Sequence, residues 1–398
     1  MSKRRVIFVN RVYHPSEAAT AQLLHDLAEA LAVKGWTVEV IAAGDESSAE
    51  TAVRVHRTGG TSVHGGVLSR ARNYLKFLRR ARNHLAARLQ PGDIVVPLTD
   101  PPMLGAAVTA VARARETQVV HWVQDIYPEV VSAHIGTWTA LPLAPLRWRR
   151  NAAWRAASAC VVVSEEMGAT AVAQGLPANR VHVIENWAPR ELAATAPSAE
   201  VASIRREWGV EGRFVVAYSG NLGRVHEFAT VLAAAAELRS QAGIEFVFVG
   251  TGARMDEVRG AVTKLELDNV RFLPAQPRAR LATTLAAADA HLVTLRPGFE
   301  RLVNPSKLAG VLAAARPVLF VGSTAGSIPR LLSEENCGLA FAPTDGLSLA
   351  AAIRRWQTAP DEIAALRLNA RRAYERRFTL AAAVAAWDEV LRRVADPI

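Results

Sequence analysis

The sequence predicts an α/β protein of two doubly wound, Rossmann-like domains. Short unbroken runs of Val, Ile and Phe alternate with longer helical patterns, the alternation restarts after a polar stretch near the middle, and 398 residues suit two or three domains of roughly 100–200 residues each. Unbroken apolar runs fit parallel strands covered on both faces, and strand–helix alternation implies βαβ units.

The elements run as follows. Residues 5–9 form a continuous β-like run. Residues 20–33 carry Leu23, Leu24, Leu27, Ala28 and Leu31 at helical spacing. Strand-like runs then recur at 38–42, 94–96, 119–123, 159–163 and 181–184. Residues 191–210, with Ala194-Thr195-Ala196-Pro197-Ser198-Ala199, read as a polar linker. The second series is 214–219, 246–250, 270–273, 291–293 and 318–321, and residues 379–394 read as one Ala-rich helix with Trp387 and Leu391. The expected division is 1–190, 200–375 and a closing helical segment 376–398. In doubly wound sheets ligands bind beyond the C-terminal strand ends where strand order reverses, so the loops after those strands should hold the site, facing each other across a cleft.

Composition narrows the class. Half of the residues are hydrophobic and 21% are charged, which excludes a disordered chain. Cys160 and Cys337 are the only cysteines, against a disulfide framework or a cysteine-rich zinc site. A reducing cytoplasm is the expected compartment. Residues 1–5 lead straight into an apolar strand with no signal-peptide pattern, and no long uncharged apolar stretch predicts a spanning helix. The net charge of +10 points to an anionic partner.

Two loops suit phosphate. Ser219-Gly220-Asn221-Leu222-Gly223-Arg224-Val225-His226-Glu227-Phe228 follows a strand and leads into a helix expected to start near Glu227. Its glycines allow close backbone approach, the helix start offers free N–H groups, and Arg224 adds a permanent charge. In the second, Asn304 suits an N-cap, Pro305 suits the first helical position, and Ser306 and Lys307 fall in the first turn. A lysine beside the positive end of a helix dipole implies an adjacent anion. Gly250-Thr251-Gly252 is a weaker signal, lacking the third glycine of a dinucleotide fingerprint. No Walker-type phosphate loop and no His-Glu-x-x-His occur, so neither that ATPase chemistry nor a metal site is expected.

Taken in order, these loops resemble a family. Asn304-Pro305-Ser306-Lys307-Leu308 followed by Leu312-Ala313-Ala314-Ala315-Arg316-Pro317-Val318 is similar to the "PSKL…LAAGRPV" segment of bacterial polysaccharide glycosyltransferases. Tyr218-Ser219-Gly220-Asn221-Leu222-Gly223, Phe248-Val249-Gly250-Thr251-Gly252, Asn269-Val270-Arg271-Phe272-Leu273-Pro274 and Gln124-Asp125-Ile126-Tyr127-Pro128-Glu129 also match. The chain thus resembles a retaining GT-B glycosyltransferase of family 4, close to those of colanic acid, capsule or O-antigen assembly.

The resemblance implies a hexosyltransferase-type enzyme with no cofactor beyond its co-substrate, a nucleotide-diphosphate sugar, UDP-linked by preference. The second domain would bind that donor through Gly220, Asn221, Gly223, Arg224, Gly250, Leu273, Pro274, Glu300, Asn304, Pro305, Ser306 and Lys307. Leu273 and Pro274 would face the base, Arg224 and Lys307 the diphosphate, and Glu300 the donor sugar or ribose. The first domain would bind the acceptor through Glu17, Thr20, Gln124 and Asp125, a saccharide that includes polyprenyl-diphosphate-linked forms. Three positions depart from the family. The second glutamate expected after Glu300 falls on Leu308 by count or Gly310 by alignment, a basic pair in the first donor loop is replaced by Asn221 and His226, and a histidine before the aspartate is Gln124.

Transfer from such a donor builds negative charge on the leaving phosphate. Arg224, Lys307 and the helix start after Asn304 would answer it without a metal, and losing one such donor costs about 3–4 kcal/mol in the barrier. Asp125 would orient the acceptor hydroxyl, so Glu300, Lys307, Arg224 and Asp125 form the expected catalytic set.

Residues 68–89 carry seven cations and no acid, among them Arg72, Lys76, Arg79, Arg80 and Arg82, interleaved with Tyr74, Leu75, Phe77, Leu78, Leu85 and Leu89. Arg147-Trp148-Arg149-Arg150, near Trp138 and Trp154, is a second basic aromatic cluster. Both suit the anionic inner leaflet, which makes the protein peripheral on that membrane. The alternative for the helix is leucines in the core with solvated arginines. Other functions weighed are an epimerase or hydrolase on sugar nucleotides, which would need acids and histidines the cleft loops lack, and a nucleic-acid binder, for which only charge speaks. No nucleic-acid partner is expected.

Overall fold

The computed structural model describes residues 4–44, 52–59 and 66–396, so residues 1–3 of the N-terminal run read above lie outside it. The chain forms two compact units. The first comprises Met1–Asn186, Arg301–Asn304 and Leu380–Ile398, and the second Trp187–Glu300 and Pro305–Thr379.

In the first unit, seven strands are β1 (Arg5–Val9), β2 (Thr37–Ala42), β3 (Val53–Arg57), β4 (Ile94–Pro97), β5 (Gln118–Val123), β6 (Ala159–Val162) and β7 (Val181–Val183). They lie in the order β3-β2-β1-β4-β5-β6-β7, every pair parallel. The second unit has β8 (Phe214–Ser219), β9 (Ile244–Val249), β10 (Val270–Leu273), β11 (Ala290–Thr294), β12 (Val318–Val321) and β13 (Gly338–Phe341), in the order β10-β9-β8-β11-β12-β13, again all parallel. Strand order reverses between β1 and β4 in one sheet and between β8 and β11 in the other. At those two points the helices on either side of the sheet diverge and leave a crevice at the C-terminal strand ends. Val6, Phe8, Val9, Val216 and Phe246 have essentially no exposure, as strands covered on both faces require.

The C-terminal helix, Leu380–Ala395, belongs to the first unit. Its Trp387 is fully buried, with ring centroids 6.4 Å from Phe8 and 4.9 Å from Trp122. Trp36 Nε1 donates to Asp388 at 2.7 Å, tying the helix to the turn before β2.

The structure differs from the sequence reading in several places. Residues 191–210 are not an unstructured linker. Helix Ser198–Glu207 lies there, burying Ile204 and, one turn on, Trp208, while Arg205 pairs with Asp289 at 3.1 Å. Four-residue spacing of two large apolar side chains outweighed an Ala/Ser-rich composition. β3 and β13 escaped notice because one alternates arginine and histidine with valine and the other opens on glycine. Residues 301–304 interrupt the second unit: Ile126 N–H donates to the Leu302 carbonyl at 2.8 Å, and Asp125 bridges Val303 in antiparallel fashion.

Candidate functional site

In the second unit the reversal point sits between the ends of β8 and β11, Ser219 and Thr294. The loop after β8 lies directly against the loop after β9. Gly220 N–H donates to the Val249 carbonyl at 2.8 Å, Leu222 N–H to Thr251 at 2.7 Å, and Arg254 N–H to Leu222 at 3.0 Å. This closeness demands glycine. A Cβ on Gly250 would stand 2.2 Å from the Gly220 oxygen, and one on Gly252 2.5 Å from Leu222 backbone, both at positive φ. The Gly-x-Gly therefore packs one loop on the other, which leaves Gly220 beside Lys307, whose Cε would meet a Cβ there at 3.4 Å.

Lys307 meets the loop after β8 here. Its Nζ donates to the Tyr218 hydroxyl at 2.6 Å, lies 3.4 Å from His226 Nε2 and sits 4.0 Å from the centroid of the Tyr218 ring. His226 Nδ1 is 2.6 Å from the Thr294 carbonyl, which can only accept, so Nδ1 carries the proton and Nε2 offers its lone pair to Lys307. Tyr218 in turn donates to the Asn221 carbonyl at 2.8 Å. Loss of water pushes the Lys307 ammonium down to about 7. Burial, then the charge of Lys307, pushes His226 down to about 3, so its ring stays neutral. Among the described residues no ion pair gives Lys307 a carboxylate partner. Several buried polar atoms of this unit lack partners, and two of them, Ser219 Oγ and Thr294 Oγ1, stand at the ends of β8 and β11; Glu300 Oε2, in the loop after β11, is another. Unsatisfied groups gathered at a reversal point are what a polar ligand would satisfy.

The helix carrying Lys307 differs from expectation. It spans Lys307–Ala313, and Ser306, not Asn304, precedes it, without a capping hydrogen bond from its side chain. The Asn304 amide instead donates to the Val163 carbonyl at 3.0 Å within the first unit, so Asn304 neither caps the helix nor belongs to the second unit. Pro305 is buried and Ser306 exposed. The helix after β8 likewise starts later than expected, at Ala229, with the Glu227 carboxylate accepting from Thr230 N–H at 3.1 Å. Leu273 accepts from Gly250 N–H at 3.1 Å and Pro274 from Gln276 at 3.1 Å, so both backbone carbonyls are engaged. Asn221 and Arg224 are exposed and Gly223 half-buried on the loop after β8. Gly310 is buried, and a side chain there would meet Leu192 and Leu285 at 3.3 and 3.7 Å. A carboxylate placed at Gly310 would enter that apolar setting.

Sequence reasoning missed Tyr218 and His226 as partners of Lys307, and Arg254. The Arg254 guanidinium binds the His226 carbonyl and pairs with Glu257, its Nε 2.9 Å from the carboxylate. Tyr218 lies next to the end of an apolar strand and reads as core. Only the departure from a basic pair marked His226.

In the first unit, Asp125 is half-buried, and burial followed by the charge of Asp100 pushes it up to about 6. Asp100 is itself held by both arms of Arg11 at 3.0 and 2.8 Å. Asp125 lines a cavity with Thr99, Met103, Trp122, Tyr127 and Arg150. Gln124 does not open into it. Its amide is closed into a reciprocal pair with Asn186, at 3.1 and 2.8 Å, both residues buried. Glu17 is exposed and Thr20 half-buried at the start of helix Ala19–Val33.

The basic helix spans Val67–Arg88. Phe77, Ala81, Leu85 and Leu89 are buried in the core, whereas Arg72, Lys76, Arg79, Arg80 and Arg82 are exposed. Its apolar stripe is therefore spent on the core, and among the described side chains of this helix Leu75 is the large apolar one that stands out, 66% exposed. In the second cluster Trp148 and Trp138 are exposed, but Arg150 and Trp154 are buried, with the guanidinium 4.0 Å from the ring centroid and paired with Glu129 at 2.6 Å. Among the described residues no helix is long and apolar enough to cross a membrane, and no three His, Cys, Asp or Glu side chains gather as metal ligands.

Comparison with known proteins follows these two units. Residues 20–192 match the Glycosyltransferase Family 4 model and residues 213–358 the Glycosyl transferases group 1 model. The chain is 28% identical over 287 residues to a probable glycosyltransferase, WbjE, of Pseudomonas aeruginosa, covering 72% of this chain and 69% of the relative. It is 30% identical over 152 residues to a putative colanic acid biosynthesis glycosyl transferase, WcaI, of Escherichia coli, covering 38% of this chain and 37% of that one. Among solved structures, Anabaena Alr3699/HepE in complex with UDP-glucose superposes with a TM-score of 0.74 at 18% identity, over 98% of this chain and 99% of the other.

Proposed function

The chain belongs to the GT-B glycosyltransferases resembling those of bacterial polysaccharide assembly, and on that premise we propose that it moves a sugar from a UDP-sugar to a saccharide acceptor, retaining anomeric configuration and needing no metal. The observation that carries this is Lys307, a half-buried lysine that has no carboxylate partner among the described residues and stands at the reversal point of the second sheet. A UDP-bound structural relative at this fold supports uridine as the base.

In this reading Lys307 faces the leaving diphosphate, with Arg224 and the backbone of Gly220, Asn221 and Gly223 beside it. The polar groups of Ser219, Thr294 and Glu300 take the sugar or ribose hydroxyls. Charge developing on the leaving phosphate meets an ammonium already in place, so little reorganisation is needed as the bond breaks. Glu17, Thr20 and Asp125 serve the acceptor, with Gln124 shaping that side through Asn186. Asp125 orients the acceptor hydroxyl, whose proton passes to the departing phosphate as that hydroxyl attacks from the same face.

The acceptor we propose is a saccharide on a polyprenyl diphosphate, and the enzyme works in the cytoplasm at the inner leaflet. The outward cations Arg72, Lys76, Arg79, Arg80 and Arg82 and the exposed Trp148 support this surface.

One assay tests the central reading: turnover of UDP-sugars by wild type and Lys307→Ala, with EDTA present, and the product's anomeric configuration read by NMR. We expect EDTA-insensitive turnover, the donor's anomer in the product and a loss of 100-fold or more, about 3 kcal/mol, in the variant. Wild-type rates in Lys307→Ala, or an inverted product, would refute it.

A further inference from the structure

We infer that donor binding carries a proton with it: Lys307 is held uncharged between the Tyr218 hydroxyl and His226 Nε2 in the empty enzyme, and its Nζ takes one proton from solvent as the diphosphate arrives. The inference rests on the reading that Lys307 faces the diphosphate, and deepens it.

Among the described residues the geometry supplies Lys307 with two neutral partners and no ion-paired acid. Tyr218, on β8, is fully buried, and burial pushes its phenol up, so it stays un-ionised. His226 is locked by the Thr294 carbonyl into the tautomer that turns a lone pair toward Lys307. Such partners give a lysine hydrogen bonds in either protonation state but do not offset a charge. The charged groups on neighbouring elements are engaged or exposed, except Glu300 in the loop after β11, which is half-buried and, among the described residues, makes no ion pair with Lys307. Arg254 and Glu257, after β9, pair with each other, Glu227 accepts from the Thr230 amide, and Arg224 and Arg296 are exposed. Burial accordingly leaves the lysine near neutrality, at about 7. A diphosphate beside Nζ supplies the missing negative charge and favours the ammonium, so above pH 7 binding and protonation proceed together. Tyr218 and His226 are thus positioning residues: they hold the nitrogen in place without fixing its charge.

Calorimetric titration with UDP tests this. At pH 8, where the nucleotide is fully ionised, the binding enthalpy is measured in buffers of different ionisation enthalpy, and its slope counts protons. Wild type should take up close to one proton at pH 8, with Kd rising about tenfold per pH unit above 7. Lys307→Arg, whose guanidinium is always charged, should bind with no such uptake. His226→Glu, which sets a carboxylate beside Nζ, should also abolish the uptake, an outcome that a merely structural role for His226 would not produce. Equal slopes in wild type and Lys307→Arg overturn the inference. Undiminished UDP affinity in Lys307→Ala overturns the underlying reading instead, and weakened affinity with zero uptake in wild type removes only the proton.

Discussion

At the scale of single residues, a half-buried lysine with no carboxylate partner among the described residues works against the stability of the protein it serves. Lys307 titrates at about 7 in the folded chain against 10.5 in an unfolded one. Between those values the unfolded state binds more protons, so this group's contribution to stability improves as pH rises and is worst below 7. Lys307→Met should therefore raise the melting temperature at pH 6 by several degrees while weakening UDP binding, and the gain should shrink by pH 9. A melting temperature that falls at pH 6 would mean that the ammonium is compensated after all. Asp125 presents the opposite case. Its carboxyl is pushed up to about 6, so it is ionised only above that pH. If the carboxylate orients the acceptor, kcat/KM should fall below pH 6, and Asp125→Asn should lose that limb along with most of the rate.

At the scale of elements, the loops after β8 and β9 depend on each other through glycine. Gly252 at φ +155 faces Leu222 backbone, which cannot move aside as a flexible side chain would. Gly252→Ala should cost roughly 3 kcal/mol in unfolding free energy and weaken donor binding with it. Unchanged denaturant midpoints would show that the two loops can separate. The basic helix shows how far a pattern can be read. Its stripe of Phe77, Leu85 and Leu89 at helical spacing is the ordinary mark of a buried face, and the structure buries it. Its arginines face outward in either case, so the charge run by itself does not distinguish solvent from lipid.

At the scale of the whole molecule, three histidines are buried in neutral form. His121 and His291 are pushed down to about 4 and His226 to about 3, each chiefly by burial. As pH falls below about 6.5 the unfolded chain gains protons that the folded chain refuses. Unfolding free energy should therefore drop by several kcal/mol between pH 7 and pH 5, and a flat profile over that interval would contradict their burial. Both parallel sheets were legible because unbroken Val/Ile/Phe runs have few other uses. Lys307 was legible because its place in the segment around Pro305 was already odd for a cation. The neighbours that give it meaning were not. Tyr218 lies in a strand whose every position looks like core, and His226 comes to Lys307 only when two loops fold over each other, 81 residues apart in sequence. Asn304 misled because a good capping residue was recruited by the Val163 carbonyl, a partner far off in sequence.

The helix Leu380–Ala395 has a consequence for how the molecule is made. It places Trp387 between Phe8 and Trp122, in a unit whose seven strands all precede the second unit in sequence. On the ribosome the leading half must wait, its apolar centre open, while the entire trailing unit is translated and free to fold. Order of synthesis and order of completion are thus reversed, and the nascent leading half is the part most in need of chaperones.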